Sequence, residues 1–513
     1  MAVGKRALQD KIFNLDSFPQ KLKLIRDEDN SIALCHGVFD LLHPGHIQHF
    51  KAARNLADVL IVSLTADHFV NKGPGRPLFN EDIRAETLAA LADVDYVVIC
   101  NFPTAIELIE VIKPDFYVKG SDYINPSDDV TGMIAREKEV LETHGGRIHF
   151  TNELTSSSSM LINKFFSPAN QTAQDWLRGF KSSHGYDEVT KALDDIFQLR
   201  VLILGETIID QYTYCSPLAK SSKDPILAFH QEETNFFPGG AVTIANNCSS
   251  WAAQTRVISF SGRNDSLLNS LKSKIDSKIE LDFIETPDRP TILKHRYVDR
   301  ASNSRVFEYY DFSNQELLPE SKVLIEAAVM NQVKSYDLVM AADYGHGFFT
   351  QELISTVERE SPFLSVNTQA NAGNRGYNTI SKYSKADLIT MNGGELQLEL
   401  RDRNPDYFTI VPKLMEKMQA SYAIVTLGGD GLIIFDRNGN HEQVPALAGR
   451  LIDKVGAGDA VFAIASLLAK VNAPLKVIGF LANLVAAHEV SQLGHQSSLS
   501  QADLRKHAKS ILG

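Results

Sequence analysis

The segment Leu451-Ile-Asp-Lys-Val-Gly-Ala-Gly-Asp-Ala-Val-Phe462 joins a glycine turn to an apolar run that continues to Ala469. This pattern predicts a tight turn at Gly456-Ala457-Gly458 that opens a buried helix. Glycines let consecutive backbone N–H groups converge on one point, where the positive helix end also favours an anion such as phosphate. Asp459, beside that point, is either a base that removes a proton from an attacking hydroxyl or a helix cap.

Length and composition restrict the classes of protein to which the chain can belong. The chain has 513 residues, 44% hydrophobic and 22% charged, which predicts a globular protein with more than one domain. A net charge of −12 without a basic run disfavours a nucleic-acid partner. Scattered cysteines predict a reducing compartment and no structural zinc. Without an apolar leader or a run of about 18 apolar residues, we expect a cytoplasmic protein with no membrane partner.

Strand and helix patterns alternate through the first third of the chain. Ser31–Cys35 and Val59–Ser63 are apolar enough to be buried strands, and similar segments follow as far as Phe150. Residues up to about 30 are predicted to be helical. Strands separated by helices predict a parallel sheet in a doubly wound α/β domain, whose ligands lie at the carboxyl ends of the strands.

His43-Pro-Gly-His46 lies at such a place, between the first predicted strand and the helix that follows it. Two histidines one helical turn apart can donate hydrogen bonds to a phosphate and stabilise charge as pyrophosphate leaves. Gly45 allows a nucleotide to approach the backbone. A metal pair and an incidental surface pair are the alternatives, and the lack of a neighbouring Cys or acidic ligand disfavours the metal.

Three later segments suit phosphate binding. The loop Lys72-Gly-Pro-Gly-Arg76 carries two cations, Lys119-Gly-Ser-Asp-Tyr123 follows a predicted strand, and Thr155–Ser159 places hydroxyls before an apolar run. Each segment also has an ordinary explanation, either a solvated loop or a low-complexity linker.

Gly37-Val-Phe-Asp-Leu-Leu-His-Pro-Gly-His46 resembles the first motif of the cytidylyltransferase-like nucleotidyltransferases, and the later segments follow in that family's order. The likeness covers about residues 31–166 and extends to the nucleotidyltransferase half of the bifunctional ADP-heptose synthases. It implies that His43, His46 and Lys72 are catalytic and that a sugar phosphate attacks the α-phosphorus of a nucleoside triphosphate. The nucleotide- and phosphate-binding residues that it implies are Gly37, Phe39, Gly45, Arg76, Arg84, Lys119, Ser157, Ser158 and Ser159.

The composition changes after residue 166. The polar stretch 167–197 predicts a connector with a short helix around Tyr186–Phe197. Beyond it, several predicted strands end in polar glycine turns, and the pair Gly239-Gly240 lets a sugar lie against the backbone. Two strands near 291–310, which include Lys294, predict a small β lid, with a plain hairpin as the alternative. The polar glycine turns are Gly205 to Asp210, Asp343-Tyr-Gly-His-Gly347, Asn392-x-x-Glu395 and Thr426-x-Gly428-x-x-Gly431.

This order resembles that of the ribokinase-like (PfkB) sugar kinases over about residues 198–513. The resemblance implies that Asp459 is the base, that Gly456, Ala457 and Gly458 form an anion hole, and that Asn392 and Glu395 act through Mg²⁺, Glu395 indirectly. It also implies ATP, or another nucleoside triphosphate, as substrate and K⁺ as a further cofactor. Nucleotide contacts are implied for Thr426, Gly428 and Gly431, and substrate contacts for Asp210, Gly239, Gly240, Lys294 and Asp343.

Three features depart from these families. Lys454-Val455 stands where the kinases usually have a threonine, and Asn367-Thr-Gln-Ala-Asn-Ala-Gly-Asn-Arg-Gly-Tyr377 replaces an Asp-Pro-Lys strand end. The nucleotidyltransferase segment also comes first, whereas the bifunctional synthases carry the kinase first. These departures favour a relative with a different sugar or a retuned kinase.

The sequence therefore predicts two doubly wound α/β domains. They are a Rossmann-like nucleotidyltransferase at 1–166 and, after a linker at 167–197, a ribokinase-like kinase with a β lid at 198–513. We expect a bifunctional enzyme that phosphorylates a heptose 7-phosphate-like sugar at C1 and couples a sugar 1-phosphate to a nucleotide, giving an ADP-heptose-like product. The alternatives are a non-heptose sugar or polyol phosphate, or a non-catalytic kinase-like module. We also expect a homodimer whose partners are a sugar phosphate and a nucleoside triphosphate.

Overall fold

The computed structural model describes residues 8–70, 76–120, 133–151, 171–220, 226–262, 266–287, 289–302, 304–313, 315–448, 451–492 and 498–512. Packing divides the chain into two compact units, one formed by Met1–Pro168 with Arg505–Gly513 and the other by Ala169–Leu504. Within the described residues, no helix has both the length and the apolar character that a membrane span requires.

The first unit contains a six-stranded sheet in which every neighbouring pair is parallel. Its spatial order is β1-β4-β3-β2-β5-β6, so the sheet grows from β2 in both directions and β2 ends at the crevice where ligands bind in such folds. The strands are β1 (Ile12–Asn14), β2 (Ile32–Gly37), β3 (Val59–Thr65), β4 (Tyr96–Cys100), β5 (Phe116–Gly120) and β6 (Arg147–Thr151). The helices are α1 (Phe18–Asp27), α2 (Pro44–Arg54), α3 (Glu81–Ala89), α4 (Ile106–Ile112) and α5 (Ile134–Thr143).

The amino-terminal segment differs in part from the prediction. Helix α1 lies where a helix was expected, but Ile12–Asn14 forms an edge strand that pairs with β4. Phe13 packs edge-on against Phe18 and Tyr96, with ring centroids 5.4 and 6.0 Å apart. Three residues are too few for a periodic pattern, so the sequence did not indicate this strand, which is only partly buried.

The second unit is built on a nine-stranded sheet, in the order β11-β10-β7-β14-β15-β16-β17-β18-β19. The pairs from β11 to β17 are parallel, and β18 and β19 are added antiparallel. All the carboxyl ends of the parallel strands therefore lie on one edge. The strands are β7 (Arg200–Gly205), β10 (Gln254–Gly262), β11 (Ile279–Thr286), β14 (Leu338–Asp343), β15 (Leu364–Thr368), β16 (Leu388–Asn392), β17 (Tyr422–Thr426), β18 (Leu432–Asp436) and β19 (His441–Val444).

Two central helices of this unit are apolar on every face because protein surrounds them. Residues 460–469 of α14 are all buried, and α15 is buried along most of its length. The helices are α6 (Gln171–Ser183), α7 (Tyr186–Ile196), α8 (Ala241–Ser249), α9 (Ser266–Leu271), α10 (Pro319–Gln332), α11 (Gln351–Glu360), α12 (Gly393–Leu400), α13 (Tyr407–Lys417), α14 (Ala457–Lys470) and α15 (Leu475–Glu489). The last helix, α16 (Gln501–Leu512), begins in this unit, and its residues from Arg505 onward belong to the first unit.

A separate four-stranded sheet forms the lid, in the order β13-β12-β8-β9. The predicted pair is present as β12 (Ile292–Asp299) and β13 (Arg305–Asp311), but the larger part of the lid is a long hairpin, β8 (Thr207–Lys220) and β9 (Leu227–Gly240). This hairpin is not apparent in the sequence because its outer half is largely exposed and has no buried apolar face. Asp210 consequently lies within a strand and not in a turn.

The stretch predicted to be a polar connector contains a second helix, α6, in addition to the predicted α7. Trp176 and Phe180 of α6 stack on each other, and Phe180 stacks on Phe480 with a centroid distance of 4.9 Å. The Trp176 indole N–H also donates to Glu442 over 2.8 Å. The mostly polar sequence of α6 thus includes apolar residues that lie on one face of the helix. The linker assignment at 167–197 stays a prediction.

Gly431 provides a test of how closely the start of β18 packs against the end of β19. Its φ is 93°, and a Cβ atom there would lie 2.0 Å from the carbonyl oxygen of Val444. Gly439 has a similar φ of 83° but nothing within 4 Å, which makes it a matched control. We expect Gly439→Ala to cost about 1 kcal/mol for the left-handed backbone and Gly431→Ala to cost about 2 kcal/mol more from overlap. Urea unfolding midpoints measure both, and equal losses would contradict the packing described here.

Candidate functional site

The predicted histidine pair of the first unit is brought together at the carboxyl end of β2. His43 is the N-cap of α2, where its Nδ1 accepts a hydrogen bond from the Gly45 N–H over 3.2 Å. The His43 and His46 rings lie with their centroids 3.9 Å apart. A helix amino terminus and two adjacent imidazoles meet at one point, which is an arrangement suited to a phosphate.

Phe39 adopts a strained backbone beside this pair. Its φ is 50°, a conformation that costs a non-glycine residue about 1–2 kcal/mol. The ring packs edge-on against His46 and Phe50, with centroid distances of 5.3 and 5.2 Å. A Cβ at Gly37 would approach the Phe39 ring to 3.1 Å, so glycine at that position makes room for the ring. Strain of this kind often accompanies functional sites.

Two arginines predicted to bind nucleotide are buried in internal contacts. The Arg76 guanidinium pairs with Asp40 over 3.0 Å, and both side chains are almost inaccessible. The Arg84 guanidinium donates to one carboxylate, that of Asp67, and to three carbonyl oxygens. This placement favours a role in shaping the loops over the direct nucleotide contact predicted for each arginine. The three carbonyls belong to Val38, Thr65 and Phe79.

The remaining predicted residues of the first unit are only partly described. Lys119 forms an ion pair with Glu137 over 3.1 Å and lies 4.7 Å from the centroid of the Tyr117 ring. Its charge contributes to the environment of His36, whose pKa is lowered to about 3, mainly by burial. Lys72 and the run Ser157, Ser158 and Ser159 lie outside the described residues, so their predicted roles stay predictions.

In the second unit, the glycine turn forms the amino terminus of α14. Gly456 is the N-cap with a φ of 86°, and Ala457, Gly458 and Asp459 make the first turn. The first N–H groups of a helix have no acceptor within the helix. A Cβ at Gly458 would meet no atom within 4 Å, so the turn faces open space. Donors that the helix itself does not use and open space beside them are what an anion hole requires.

Tyr344 lies directly against the predicted base. Its hydroxyl donates a hydrogen bond to Asp459 Oδ1 over 2.9 Å. Burial, and secondarily the charge of Asp459, holds the pKa of Tyr344 well above 10, so the tyrosine remains a donor. The turn that contains Tyr344 was predicted from the sequence, but a role for Tyr344 itself was not.

Glu206 holds the turn that carries Tyr344. Its carboxylate accepts the backbone N–H groups of Tyr344, His346 and Phe348 over 3.0, 2.9 and 3.3 Å. Burial raises the pKa of Glu206 to about 7, and the neighbouring charge of Asp343 adds to the effect. The role of Glu206 was not predicted, because its only signal in the sequence is an acidic residue directly after a buried strand.

Asp343, predicted to contact the substrate, is instead enclosed by protein groups. It accepts from the Tyr383 hydroxyl over 2.8 Å and from the Gly345 N–H over 3.1 Å, and it pairs with Lys382. These contacts favour a role in holding the turn over the predicted substrate contact.

Three asparagines donate hydrogen bonds to backbone carbonyls of the same turn, whereas Glu206 accepts its N–H groups. Asn371 and Asn374 donate to the Tyr344 carbonyl over 2.9 and 2.7 Å, and Asn378 donates to the Asp343 carbonyl over 2.9 Å. A Cβ at Gly345 would lie 2.3 Å from the Asn374 amide nitrogen. The amide-rich stretch that departs from the kinase family therefore acts here as a clamp on the Tyr344 turn.

The lid places Asp210 over this region. Asp210 pairs with Arg296, which also binds Glu308 over 3.2 Å. A Cβ at Gly239 would lie 2.4 Å from Asp210 Oδ2, so glycine there allows the carboxylate its position. Gly240, with a φ of 64°, is the N-cap of α8.

Lys294 is a buried cation in the same lid. It is only 8% exposed, and among the described residues no hydrogen bond or ion pair reaches its ammonium group. The group lies 5.7 and 5.8 Å from the ring centroids of Tyr310 and Tyr344. Burial lowers its pKa, against the opposing charge of Asp210. Burying an ammonium that no carboxylate contacts directly is costly, so this position suits an anionic ligand.

Asn392 and Glu395 form a capping box at the start of α12. Asn392 Oδ1 accepts the Glu395 N–H over 2.9 Å, and Glu395 accepts the Asn392 N–H over 2.8 Å. Glu395 also accepts the Ala370 N–H over 3.1 Å. Burial raises the pKa of Glu395 to about 7, and the charge of Asp459 adds to the effect.

The donor set around Glu395 fits Mg²⁺ held indirectly. Carboxylate and amide oxygens suit Mg²⁺, which keeps several waters and is usually bound through substrate phosphates. No group of three His, Cys, Asp or Glu residues able to hold a metal occurs in the described ranges. Since Asn392 and Glu395 already accept backbone N–H groups, they fit an ion whose remaining ligands are water and phosphate.

The predicted nucleotide loop follows β17. Thr426 ends the strand, and the Leu427 N–H donates to the Gly431 carbonyl over 2.8 Å to close a tight turn. Gly428, with a φ of 61°, has nothing within 4 Å, which leaves the face of the turn open to a ligand.

Asp453 connects the lid to the segment that precedes the glycine turn. It accepts from the Tyr212 hydroxyl over 3.2 Å and from the Val455 N–H over 3.1 Å, and it pairs with Arg305. Lys454, the departure from the family pattern, is exposed. Sequence reasoning missed the roles of Tyr212 and Arg305 because both belong to lid strands distant in the chain.

Comparison with known protein families matches both units. Residues 198–502 match the pfkB family carbohydrate kinases, and residues 34–164 match the cytidylyltransferase-like family. These matches confirm the predicted α/β fold class.

Similar curated proteins carry the name bifunctional protein HldE. The one from Syntrophotalea carbinolica is 36% identical over 165 residues, 31% of this chain and 32% of the relative. The one from Desulfatibacillum aliphaticivorans is 28% identical over 312 residues, 60% of this chain and 62% of the relative. The aligned region thus spans about a third of the length of the first relative and less than two thirds of the second.

Among solved structures, phosphofructokinase-2 from Escherichia coli in complex with potassium is similar in fold. The alignment has a TM-score of 0.51 and 17% identity and covers 61% of this chain and 99% of that protein. At this identity the likeness concerns the fold alone.

The buried Glu206 carboxylate makes stability depend on pH. Because its pKa is raised from 4.5 to about 7, ionisation costs the folded state, and the free energy of unfolding falls as pH rises through that interval. Glu206→Gln removes this titration. We therefore expect the melting temperature of the variant, relative to the parent, to be higher at about pH 8 than at about pH 5. The exposed Glu352→Gln is the control, and the account is wrong if both variants give the same pH difference.

Proposed function

The chain belongs to the pfkB family of carbohydrate kinases, and from that premise we propose that it carries a sugar kinase site and a nucleotidyltransferase site. Asp459 is the kinase base. The observation that carries this proposal is the Tyr344–Asp459 hydrogen bond of 2.9 Å beside the open glycine turn. The nucleotidyltransferase assignment is supported by the cytidylyltransferase-like match and by the adjacent His43 and His46 rings.

In the proposed kinase reaction, Asp459 takes the proton from a sugar hydroxyl while the sugar oxygen bonds to the γ-phosphorus of ATP. The bond from that phosphorus to the ADP oxygen breaks. The N–H groups at Gly456, Ala457 and Gly458 stabilise the charge on the transferred phosphoryl group, and Lys294 adds a positive charge. Asp210, with Gly239 and Gly240 behind it, orients the sugar. Mg²⁺, when bound near Asn392 and Glu395, neutralises phosphate charge.

In the proposed nucleotidyl transfer, an oxygen of a sugar 1-phosphate attacks the α-phosphorus of a nucleoside triphosphate and pyrophosphate leaves. His43 and His46 donate hydrogen bonds to the phosphates and stabilise the charge that develops on the leaving group. Gly45 keeps the backbone close to the nucleotide. Lys72 and Ser157–Ser159 are proposed to hold the triphosphate.

The identity of the sugar, the location of the protein, its oligomeric state and its further cofactor are also proposed. We propose a heptose 7-phosphate-like acceptor phosphorylated at C1 and an ADP-heptose-like product, in keeping with the name HldE of the relatives. The two domains then follow each other along the chain in the reverse of the order found in the ADP-heptose synthases, with the nucleotidyltransferase first. A non-heptose sugar or a polyol phosphate is the alternative, supported by the asparagine clamp. Cytoplasmic location, a homodimer and K⁺ as a further cofactor belong to the same proposal.

A non-catalytic kinase module is the other alternative. Its support is the Lys454-Val455 departure. Against it stands the Tyr344–Asp459 contact, because a binding module has no need of a carboxylate held beside an anion hole.

Two variants separate the proposed activities. Asp459→Asn removes the base, so sugar-dependent ATP consumption is expected to fall by about 10³-fold or more, with pyrophosphate release retained. His46→Ala is expected to lower pyrophosphate release by about 10²-fold or more, with ATP consumption retained. Product assays with a panel of sugar phosphates and nucleoside triphosphates measure both.

His441→Ala, at an exposed position of β19, is the control and is expected to leave both activities unchanged. The proposal of two separate sites fails if either active-site variant abolishes both activities. The kinase assignment fails if ATP is bound but never consumed and Asp459→Asn changes nothing.

A further inference from the structure

The face of the lid that carries Asp210 also carries a row of contacts that begins at this residue. Asp210 and Tyr212 are two positions apart in β8, so both side chains lie on the same face of the strand. Arg296, from the neighbouring strand β12, is paired with Tyr212 in the sheet. Its guanidinium forms an ion pair with Asp210, and its guanidinium carbon lies 5.4 Å from the centroid of the Tyr212 ring. One buried arginine thus contacts both side chains.

The row continues from Tyr212 to the segment before the glycine turn. The Tyr212 hydroxyl donates to Asp453 Oδ2 over 3.2 Å, and Arg305 of β13 pairs with Asp453 Oδ1. Burial raises the pKa of Tyr212, so its hydroxyl stays protonated and remains a donor. Two side chains from different lid strands therefore bind one carboxylate that is only 3% exposed. Taking a donor away from a buried carboxylate costs more than it does at the surface.

Asp453 in turn holds the backbone that leads into the anion hole. Its Oδ1 accepts the Val455 N–H over 3.1 Å, one residue before Gly456, the N-cap of α14. The Ile452 and Asp453 N–H groups donate to the Val490 carbonyl over 2.7 and 3.2 Å, which attaches the same segment to the residue that follows α15. The direction of the first N–H groups of α14 therefore depends on the segment that Asp453 holds.

We propose that Tyr212 and Arg305 are positioning residues for phosphoryl transfer, which act through Asp453 on the N–H groups of the glycine turn. The inference rests on the kinase function proposed above and adds a way in which that site responds to its sugar. A sugar held by Asp210 fixes one end of the row, so the turn adopts its transfer geometry when the acceptor is present.

The competing reaction is hydrolysis of ATP. A water oxygen bonds to the γ-phosphorus, the bond from that phosphorus to the ADP oxygen breaks, and Asp459 takes a proton from the water. Without a sugar at Asp210, the row does not set the turn for transfer, and this reaction stays slow. The contacts of Tyr212 and Arg305 with Asp453 are therefore expected to matter for transfer to a sugar and not for hydrolysis.

Two rates of ATP consumption by the full chain test this proposal. One is measured with a panel of hexose and heptose phosphates and the other without any sugar. We expect Tyr212→Phe and Arg305→Gln each to lower kcat with the sugar about 10-fold, because each loses one hydrogen bond to a charged group. Both KM values and the rate without sugar are expected to change less than about twofold, because neither side chain binds a substrate.

A double-mutant cycle checks that Tyr212 acts through Asp453. Asp453→Asn is expected to lower kcat about 10-fold or more, and the addition of Tyr212→Phe is expected to lower it no further. Fully additive effects would show that Tyr212 acts by another route and would overturn the proposal. Tyr212→Phe keeps the ring and its packing, so the two rates still decide the matter if Asp453→Asn does not fold.

The control is Arg300→Gln in the same lid, where Arg300 binds Glu233 over 3.1 Å at the surface. Both rates are expected to stay constant in this variant. Three results from Tyr212→Phe and Arg305→Gln overturn the proposal. These are an equal fall in both rates, which assigns the two residues to the fold alone, a rise in a KM without a fall in kcat, and an unchanged kcat with the sugar.

Failure of the kinase function is distinguishable from failure of this positioning role. If no sugar supports ATP consumption, titration calorimetry with ADP and aluminium fluoride, a mimic of the transferred phosphoryl group, probes the turn directly. Binding of this mimic that is about 10-fold weaker in Tyr212→Phe and Arg305→Gln, with equal binding of ADP alone, upholds the positioning role without a kinase. Equal binding of the mimic by the parent and both variants rejects it.

Discussion

The site of the second unit depends on the buried carboxylate of Glu206 and the turn that it holds. Glu206 follows β7 directly in the chain. Its carboxylate accepts three backbone N–H groups from residues 344–348. The turn is gripped from the other side by the amides of Asn371, Asn374 and Asn378. The turn is thus held by Glu206 and by the three asparagines, and the Tyr344 hydroxyl donates a hydrogen bond to Asp459. Burial raises the pKa of Glu206 to about 7, so holding its ionised form inside the protein costs free energy. The hydrogen bonds of Glu206 hold the turn whose Tyr344 contacts the proposed base.

The same parallel architecture explains why phosphate-binding features recur along the chain. In both units, the carboxyl ends of parallel strands gather glycine turns and helix amino termini on one edge of a sheet. The first unit places His43 and His46 at such an edge, and the second places the Gly456 turn there. The lid adds two further cations, Lys294 and Arg296, which come from strand β12.

Local patterns in the sequence predicted the fold class, the parallel sheets and the positions of the glycine turns. The His43–His46 pair and the Gly456–Asp459 turn were predictable because each is complete within a few residues. The contact of Tyr344 with Asp459 joins residues 115 positions apart and depends on how β14 and α14 pack, which no local pattern reveals. The sequence also does not show which polar side chains are buried. It could not reveal that Arg84 and Asp343, both predicted to contact a ligand, are enclosed by protein groups. The β8–β9 hairpin was missed because its outer half is exposed and has no buried apolar face.

The pH dependence of sugar-dependent ATP consumption in Tyr344→Phe tests the central claim that Tyr344 positions Asp459 as the base. Removing the hydroxyl leaves the packing of the ring but takes a hydrogen bond from the carboxylate, which disfavours its ionised form. We predict a kcat about 10-fold lower, an acid limb of the rate profile moved to higher pH, and an unchanged KM for ATP. A rate profile identical to that of the parent would contradict the account.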